Sequence, residues 1–273
     1  MPDTPPPADV TVPGPGDGVD GQDAAQVAQR LATVRARVAG ACRAAGRPLD
    51  AVQVLLASKT MTADAVRAAL HADAEARAAG SGTAPVLLGE NRVQELVAKA
   101  PVLADLAPRW HVIGPLQSNK VNAALRWAAA VESVADEDLA RRLSDRVAGR
   151  AEPLDVWVQV NVSGEPTKHG TTPEDAVDVA VGVAALPGLR LAGLMTVGAR
   201  SPDAAVVRAG YRLLAGLRDA VVASGAPGTT QARGLSMGMS GDLELAVAEG
   251  ATVVRVGTAV FGARPTPTST AAA

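Results

Sequence analysis

The sequence predicts an α/β fold, a single parallel (β/α)8 TIM barrel with an extra N-terminal helix, and three observations carry that prediction. Short aliphatic or β-branched runs alternate without a break with Ala-rich helical runs. The strand runs number eight, each followed by a helical run or by the last segment of the chain. Small, hydroxyl-bearing and cationic residues gather just after the first, seventh and eighth runs, at the end where such barrels keep their sites. A doubly wound open sheet is the rival arrangement, and the count favours the barrel.

Residues 1–22 are rich in Pro, Gly and Asp, with too few apolar side chains to offset the entropy of ordering, and are expected to form a disordered tail. From Asp23, a suitable N-cap, Val27, Leu31, Val34, Val38 and Cys42 recur at helical spacing until Gly46, which makes one amphipathic helix. Strands are then expected at 52–57, 86–88, 110–113, 130–134, 155–162, 191–197, 234–237 and 253–256. Helices are expected between them at 63–78, 92–98, 121–128, 137–148, 173–185, 204–223 and 242–249. The Pro-Thr-Pro-Thr-Ser-Thr run after Arg264 reads as a second loose tail over 265–273, leaving one domain over 23–264.

Composition narrows the function. Lys and Arg total 26 against 28 Asp and Glu, a net charge of -2 that gives no electrostatic case for a nucleic acid or an anionic membrane as partner. The single cysteine, Cys42, forms no internal disulfide and falls on the apolar face of the first helix, so a reducing, cytoplasmic location is expected. Met1-Pro2-Asp3 lacks the basic start and apolar run of a signal peptide, and no apolar stretch reaches the roughly 18 residues of a membrane span. No His, Cys or carboxylate cluster has metal-ligand spacing, so no metal is expected.

The chemistry starts at Val54-Leu55-Leu56-Ala57-Ser58-Lys59-Thr60, where a strand carries a lone lysine to its exit. An amine there can form an imine with a carbonyl, although a solvated strand-end lysine has the same pattern. After the seventh strand comes Ser236-Met237-Gly238-Met239-Ser240-Gly241-Asp242, in which Ser240 can cap the following helix while neighbouring backbone N–H groups meet an anion. After the eighth comes Arg255-Val256-Gly257-Thr258, whose glycine allows close backbone approach and whose hydroxyl donates. Either loop alone is an ordinary turn; both together match the usual phosphate position of such barrels. Closing the barrel sets strand eight beside strand one, so Lys59 stands next to a phosphate cradle. That pairing suggests a ligand with both a phosphate and an aldehyde, and the cofactor that carries both is pyridoxal phosphate. Arg255 shares the parity of Val253 and Gly257, so it either faces the cofactor's pyridine nitrogen or forms a salt bridge inside the barrel.

The words Ser58-Lys59-Thr60, Gly89-Glu90-Asn91, Val93-Gln94-Glu95, Trp110-His111, Leu116-Gln117-Ser118-Asn119-Lys120, Gln159-Val160-Asn161-Val162-Ser163 and Lys168-His169-Gly170 occur in this order. They continue with Gly193-Leu194-Met195-Thr196, Leu235-Ser236-Met237-Gly238-Met239-Ser240 and Arg255-Val256-Gly257-Thr258-Ala259. As a set they resemble the pyridoxal phosphate homeostasis protein family, which is similar to the N-terminal barrel of alanine racemase. The resemblance implies a fold type III pyridoxal phosphate protein in which Lys59 forms the internal imine. It further implies Asn91 lining the pocket, Met239, Ser240, Gly257 and Thr258 around the phosphate, and Arg255 at the ring nitrogen. Leu88 and Arg92 depart from the Phe and Tyr often found there in the family, which changes the lining of the pocket and the charge of its rim.

The expected function is therefore binding, buffering and delivery of pyridoxal phosphate, with amino acids or pyridoxal phosphate-dependent apoenzymes as recipients and a monomer as the working form. The alternative is an amino-acid racemase with the same cofactor. It is disfavoured because the sole tyrosine, Tyr211, belongs to a helical stretch, whereas alanine racemase takes its opposing base from an added C-terminal domain. Lys168 and His169, beyond strand five, either meet an incoming amine or form a solvated loop. Lys120 is a further lysine of the same motif set without an expected role. His111 reads as a satisfied core histidine and His71 as a surface residue.

Overall fold

A computed structural model of the chain describes residues 21–262. Helix α1, Gly21–Ala44, leads into a closed barrel of eight parallel strands in sequential order. The strands are β1 (Gln53–Ala57), β2 (Leu87–Glu90), β3 (Trp110–Val112), β4 (Ala128–Val134), β5 (Leu154–Gln159), β6 (Leu189–Met195), β7 (Gly234–Ser236) and β8 (Val253–Val256). The helices that follow them are α2 (Ala63–Ala78), α3 (Val93–Lys99), α4 (Val121–Leu125), α5 (Glu137–Val147), α6 (Ala176–Ala184), α7 (Ala204–Ala223), α8 (Leu243–Ala248) and α9 (Thr258–Phe261). The expected barrel and its extra helix are both present. The expected tails at 1–22 and 265–273 fall outside the described residues, apart from Gly21 and Gln22, which begin α1.

The boundaries that shift do so for local reasons. Strand β5 ends at Gln159, three residues before the expected end at 162, because Asn161 turns the chain: its Nδ2 donates to the carbonyls of Glu165 and Lys168. Helix α6 starts at Ala176 instead of 173, since Thr172 and Asp175 first close a turn through their side chains. Ala128 pairs with Trp110, so β4 claims residues that helical propensity assigned to α4. The segment after Gly257 is a four-residue helix, α9, which was not among the expected helices.

Two apolar layers hold the barrel. The larger lies between the strand wall and the helix ring, and it includes Leu56, Leu88, Val131, Val156, Leu194, Val254 and Val256. The smaller fills the lumen with Leu55, Leu87, Trp157, Met195 and Val253, with Ile113 and Ala192 packed against them. Each fully buried aliphatic side chain contributes about 1.5–3 kcal/mol. α9 is too short to cover the seam where β8 meets β1, and α1 takes that place in the ring, packing on α2, α8 and α9. Its buried face is Val27, Leu31, Val34, Val38 and Cys42, as the spacing requires. Arg35 and Arg77 both pair with the buried Asp73, which ties α1 to α2.

Candidate functional site

Strand alternation decides what the end of β1 presents. Leu55 faces the lumen, and the same parity carries Ala57 to that side, while Ser58 points out through the wall and Lys59 follows in the turn at the strand's exit. Lys59 is half-buried at the barrel mouth. The β1–β8 register pairs Leu55 with Arg255 and Leu56 with Val256, so Ala57 stands level with Gly257. A Cβ on Gly257 would lie 3.1 Å from the Ala57 carbonyl oxygen, which explains the glycine: a side chain would crowd the exit of β1. Lys59 and the Gly257–Thr258 loop thus share one side of the mouth, as expected.

The loop after β7 is shaped from both sides. Gly238 has φ +89°, and a Cβ there would meet the Ala246 Cβ at 2.4 Å, so only glycine lets the chain bend against α8. Its carbonyl accepts from Arg255 N at 2.9 Å, seating the loop on β8. The N-cap of α8 is Asp242, not Ser240 as expected from sequence. Its carboxylate makes no capping bond to the helix and instead ties the loop: Oδ1 accepts from Met239 N at 2.6 Å, and Oδ2 from the Tyr211 hydroxyl at 2.9 Å. Ser240 is left half-buried with its hydroxyl at the loop tip, and its carbonyl accepts from Arg37 Nη1 of α1 at 3.0 Å. Arg37 also grips Glu244 at 2.7 and 2.8 Å. Met239 is exposed.

Tyr211 is buried in α7, and burial, with Asp242 beside it, pushes its phenol above the ordinary range. Its proton is committed to the loop. Tyr211→Phe is expected to cost about 2 kcal/mol, the worth of a hydrogen bond to a charged group, or about 4–8 °C in Tm for a chain of this size. A thermal midpoint within 1 °C of wild type would show that the bond does not hold the loop.

Inside the lumen, a polar chain crosses the barrel beside the apolar cluster, with Arg255 in register with Leu55 and Ser236 with Met195 and Val253. Arg255 is only 7% exposed; its Nη1 donates to Ser236 Oγ at 2.7 Å and its Nη2 to the Thr196 carbonyl at 2.5 Å. Ser236 Oγ in turn donates to Glu132 Oε2 at 2.6 Å, and Glu132 Oε1 lies 2.6 Å from His111 Nδ1. Strands β4 and β7 are not neighbours in the sheet, so the Ser236–Glu132 bond must span the lumen. Burial alone would raise the Glu132 carboxyl, but His111, Arg255 and Ser236 outweigh it and hold it below the usual carboxylate range. Burial pulls the Arg255 guanidinium down, against the charges of Glu132, Tyr211 and Asp242.

Two readings change here. Arg255 touches no carboxylate directly; Ser236 stands between it and Glu132. His111 is buried but only half-satisfied, because Nε2 has no hydrogen-bond partner among the described residues. Asn91 follows β2 directly and packs its backbone on Gly114 after β3, where a Cβ would come within 2.3 Å of the Asn91 oxygen. Lys168 bridges two loops, donating to Glu165 Oε1 and the Gly198 carbonyl, both at 2.6 Å. It borders a groove of about 580 Å³ lined also by Val197, Arg200, Met239 and Asp242. His169 and His71 are exposed, and Lys120 sits on a 3-10 turn after β3.

Sequence reading gave no role to Glu132, Ser236, Arg37 or the Tyr211–Asp242 pair. Glu132 did carry a signal, as a lone carboxylate inside the strand Ala128-Ala129-Ala130-Val131-Glu132-Ser133-Val134. The residues present fit pyridoxal phosphate: a primary amine and two hydroxyl-bearing loops at one mouth, a buried guanidinium in the lumen, and an orphaned imidazole nitrogen on the same polar chain. Among the described residues no group of three or more His, Cys, Asp or Glu side chains could hold a metal ion, and no helix is long and apolar enough to cross a membrane.

Residues 22–265 match the family described as alanine racemase, N-terminal domain. The chain is 44% identical over 238 residues to the pyridoxal phosphate homeostasis protein of Pseudomonas aeruginosa, covering 87% of this chain and 96% of that one. Among solved structures, PipY of Synechococcus elongatus with PLP bound superposes with a TM-score of 0.70 at 34% identity, over 86% of this chain and 100% of that one. An unknown protein from Bifidobacterium adolescentis superposes with a TM-score of 0.82 at 39% identity, over 90% and 98% of the two chains.

Proposed function

The chain belongs to the pyridoxal phosphate homeostasis protein family, and on that premise we propose that it binds pyridoxal phosphate through Lys59, holds it covalently and releases it to amines. The observation that carries the reading is the juxtaposition at the β1–β8 seam of a strand-exit amine with the Gly257–Thr258 loop, the buried Arg255 directly below. When bound, pyridoxal phosphate supplies an aldehyde that a primary amine captures reversibly. Everything else is the work of this chain's residues. Ser240, Gly257 and Thr258 bind the phosphate by hydroxyl and backbone donors, with Met239 and Asn91 at the rim. Arg255 remains a cation, so a ring nitrogen facing it is kept unprotonated and the carbanion-stabilising power of the ring is weakened. His111 offers Nε2 to the lumen, with Glu132 fixing the ring's orientation through Nδ1.

This arrangement suits storage more than turnover. The racemase alternative needs a second base opposite Lys59, and the phenol of Tyr211 is already engaged with Asp242. A cytoplasmic location, supported by the single, buried Cys42, belongs to the same proposal, as do a monomeric state and delivery to amino acids or apoenzymes. The test is borohydride reduction of the purified, pyridoxal phosphate-loaded protein followed by digestion and mass spectrometry. The pyridoxyl group is expected on Lys59; finding it on Lys120 or Lys168 would move the site. Rapid interconversion of L- and D-alanine by the pure protein would favour the racemase instead.

The phosphate loop gives a graded prediction. Ser240→Ala is expected to leave covalent capture intact but to weaken retention by about 1–3 kcal/mol, a charge-assisted hydrogen bond, or roughly 5- to 150-fold in Kd. Equilibrium dialysis reads this directly, and an unchanged Kd would remove Ser240 from the cradle.

A further inference from the structure

Lys59 is flanked by two residues that are both held from outside the barrel wall. Ser58 is fully buried; its hydroxyl donates to Glu90 Oε1 at 2.7 Å, and its carbonyl accepts from Lys99 Nζ at 2.7 Å. On the other side, the Thr60 N–H donates to Glu95 Oε2 at 2.6 Å. Lys99 joins the two halves, because its ammonium also reaches Glu90 Oε1 at 2.7 Å and Glu95 Oε2 at 3.2 Å. Its three protons therefore meet three acceptors, as a buried ammonium requires. Helical geometry makes this possible: Glu95 and Lys99 are one turn apart on α3, whose buried face lies over the end of β2 where Glu90 stands.

The backbone shows what the cluster works against. Thr60 has φ +66°, the left-handed region that a β-branched residue rarely adopts. Glycine would take that conformation without support. Here a threonine takes it, and both bonds that the cluster makes to main chain end on the residues immediately before and after Lys59. An ion cluster serving only to pin α3 on the barrel would have no reason to grip those two atoms.

We infer that Lys99 is a positioning residue for Lys59: with Glu90 and Glu95 it holds the Ser58 carbonyl and the Thr60 amide so that the chain turns left-handed at Thr60 and delivers the Lys59 amine into the barrel mouth. The inference rests on Lys59 being the residue that captures pyridoxal phosphate. Lys99 itself lies outside the strand wall and touches neither the phosphate loops nor Arg255. Its influence on capture passes through the geometry of the backbone.

The test compares wild type with Lys99→Met, Glu95→Ala, and each of these combined with Thr60→Gly. Three readouts are needed: the rate at which borohydride-fixed pyridoxyl accumulates on Lys59, amide hydrogen exchange at Thr60 in the cofactor-free protein, and the Kd for pyridoxine 5′-phosphate, which carries the phosphate and ring without the aldehyde. Lys99→Met is expected to slow capture at Lys59 at least tenfold and to speed exchange at Thr60, with the Kd for pyridoxine 5′-phosphate within twofold of wild type. Thr60→Gly is expected to restore capture to within about threefold of wild type, because glycine needs no clamp. Glu95 is partly exposed, so Glu95→Ala folds even if Lys99→Met does not, and it is expected to show the same pattern at smaller amplitude. Wild-type capture rates in a folded Lys99→Met or in Glu95→Ala would overturn the inference. So would slowed capture that Thr60→Gly fails to restore, which would mean that Lys99 acts by its charge. If the wild-type adduct lies on another lysine, the parent reading falls first; if it lies on Lys59 and the variants behave as wild type, only the positioning role falls.

Discussion

Lys59→Ala is expected to abolish the borohydride-fixed pyridoxyl adduct and the visible absorption of the covalently held cofactor, while the protein stays folded. Lys59 belongs to neither apolar cluster, so its truncation opens no cavity in the core and the variant is expected to fold. The proposed phosphate cradle draws on other elements, the β7–α8 loop braced by Arg37, Asp242 and Tyr211 and the β8–α9 loop pressed on β1. Noncovalent binding is therefore expected to survive, detectable by dialysis with pyridoxal phosphate or with pyridoxine 5′-phosphate. The two anchors are separable only if they sit on different strands that barrel closure brings together. A variant that kept a full adduct, or one that lost noncovalent binding as well, would contradict the β1–β8 seam as the site. Thermal midpoints of the cofactor-free proteins exclude unfolding as the cause.

Much of this architecture was legible because it is local. The periods of apolar residues located all eight strands, and the closed order followed from their count and their unbroken alternation with helical runs. Arg255 was legible in part for the same reason, since its parity with Val253 and Gly257 offered the lumen as one orientation, whereas Lys59 stood out as the lone lysine at a strand exit. What escaped was whatever depends on level and rotation in the closed barrel. The Ser236–Glu132 bond joins residues 104 positions apart, and whether two lumen-facing side chains meet depends on the stagger of the strands, which no local pattern encodes. Lys99 was hidden by its ordinary setting, a Glu-Lys pair at helical spacing that reads as a solvated face. Its burial comes from Leu96 and Ala100 packing α3 tightly on the wall. Ser240 and Asp242 are both good N-cap types, but the Asp242 carboxylate is drawn to Met239 N and to Tyr211, a residue on another helix, which no local pattern encodes.

Glu132→Gln is expected to be the most destabilising of the conservative changes. The carboxylate is fully buried, bonded to His111 and Ser236, and it is the countercharge that Arg255 faces across Ser236. Glutamine keeps the shape but removes the charge, and its amide group presents a donor where one of the two partners also donates. Removing one member of a buried ionic network costs about 3–5 kcal/mol, because the remaining charge loses its compensation. That corresponds to roughly 6–20 °C in Tm for a chain of this size. The pH dependence gives a second signature. Because the folded-state pKa of Glu132 lies below its unfolded value, its contribution is fully present above the usual carboxylate range and is lost as pH falls through the folded pKa. The stability gap between wild type and Glu132→Gln is therefore expected to be widest near neutrality and to narrow on acidification. Denaturant titrations at neutral and acidic pH measure this. A gap under about 1 kcal/mol at neutral pH, or one that stays constant into acid, would mean that Glu132 does not compensate Arg255. Pairing Glu132→Leu with Arg255→Met isolates the interaction: if the two charges offset each other, the double variant recovers much of the stability that either single change loses. It would recover the fold without the cation that the ring nitrogen is proposed to face, so a bound cofactor's absorption band should shift in the double variant even where stability does not.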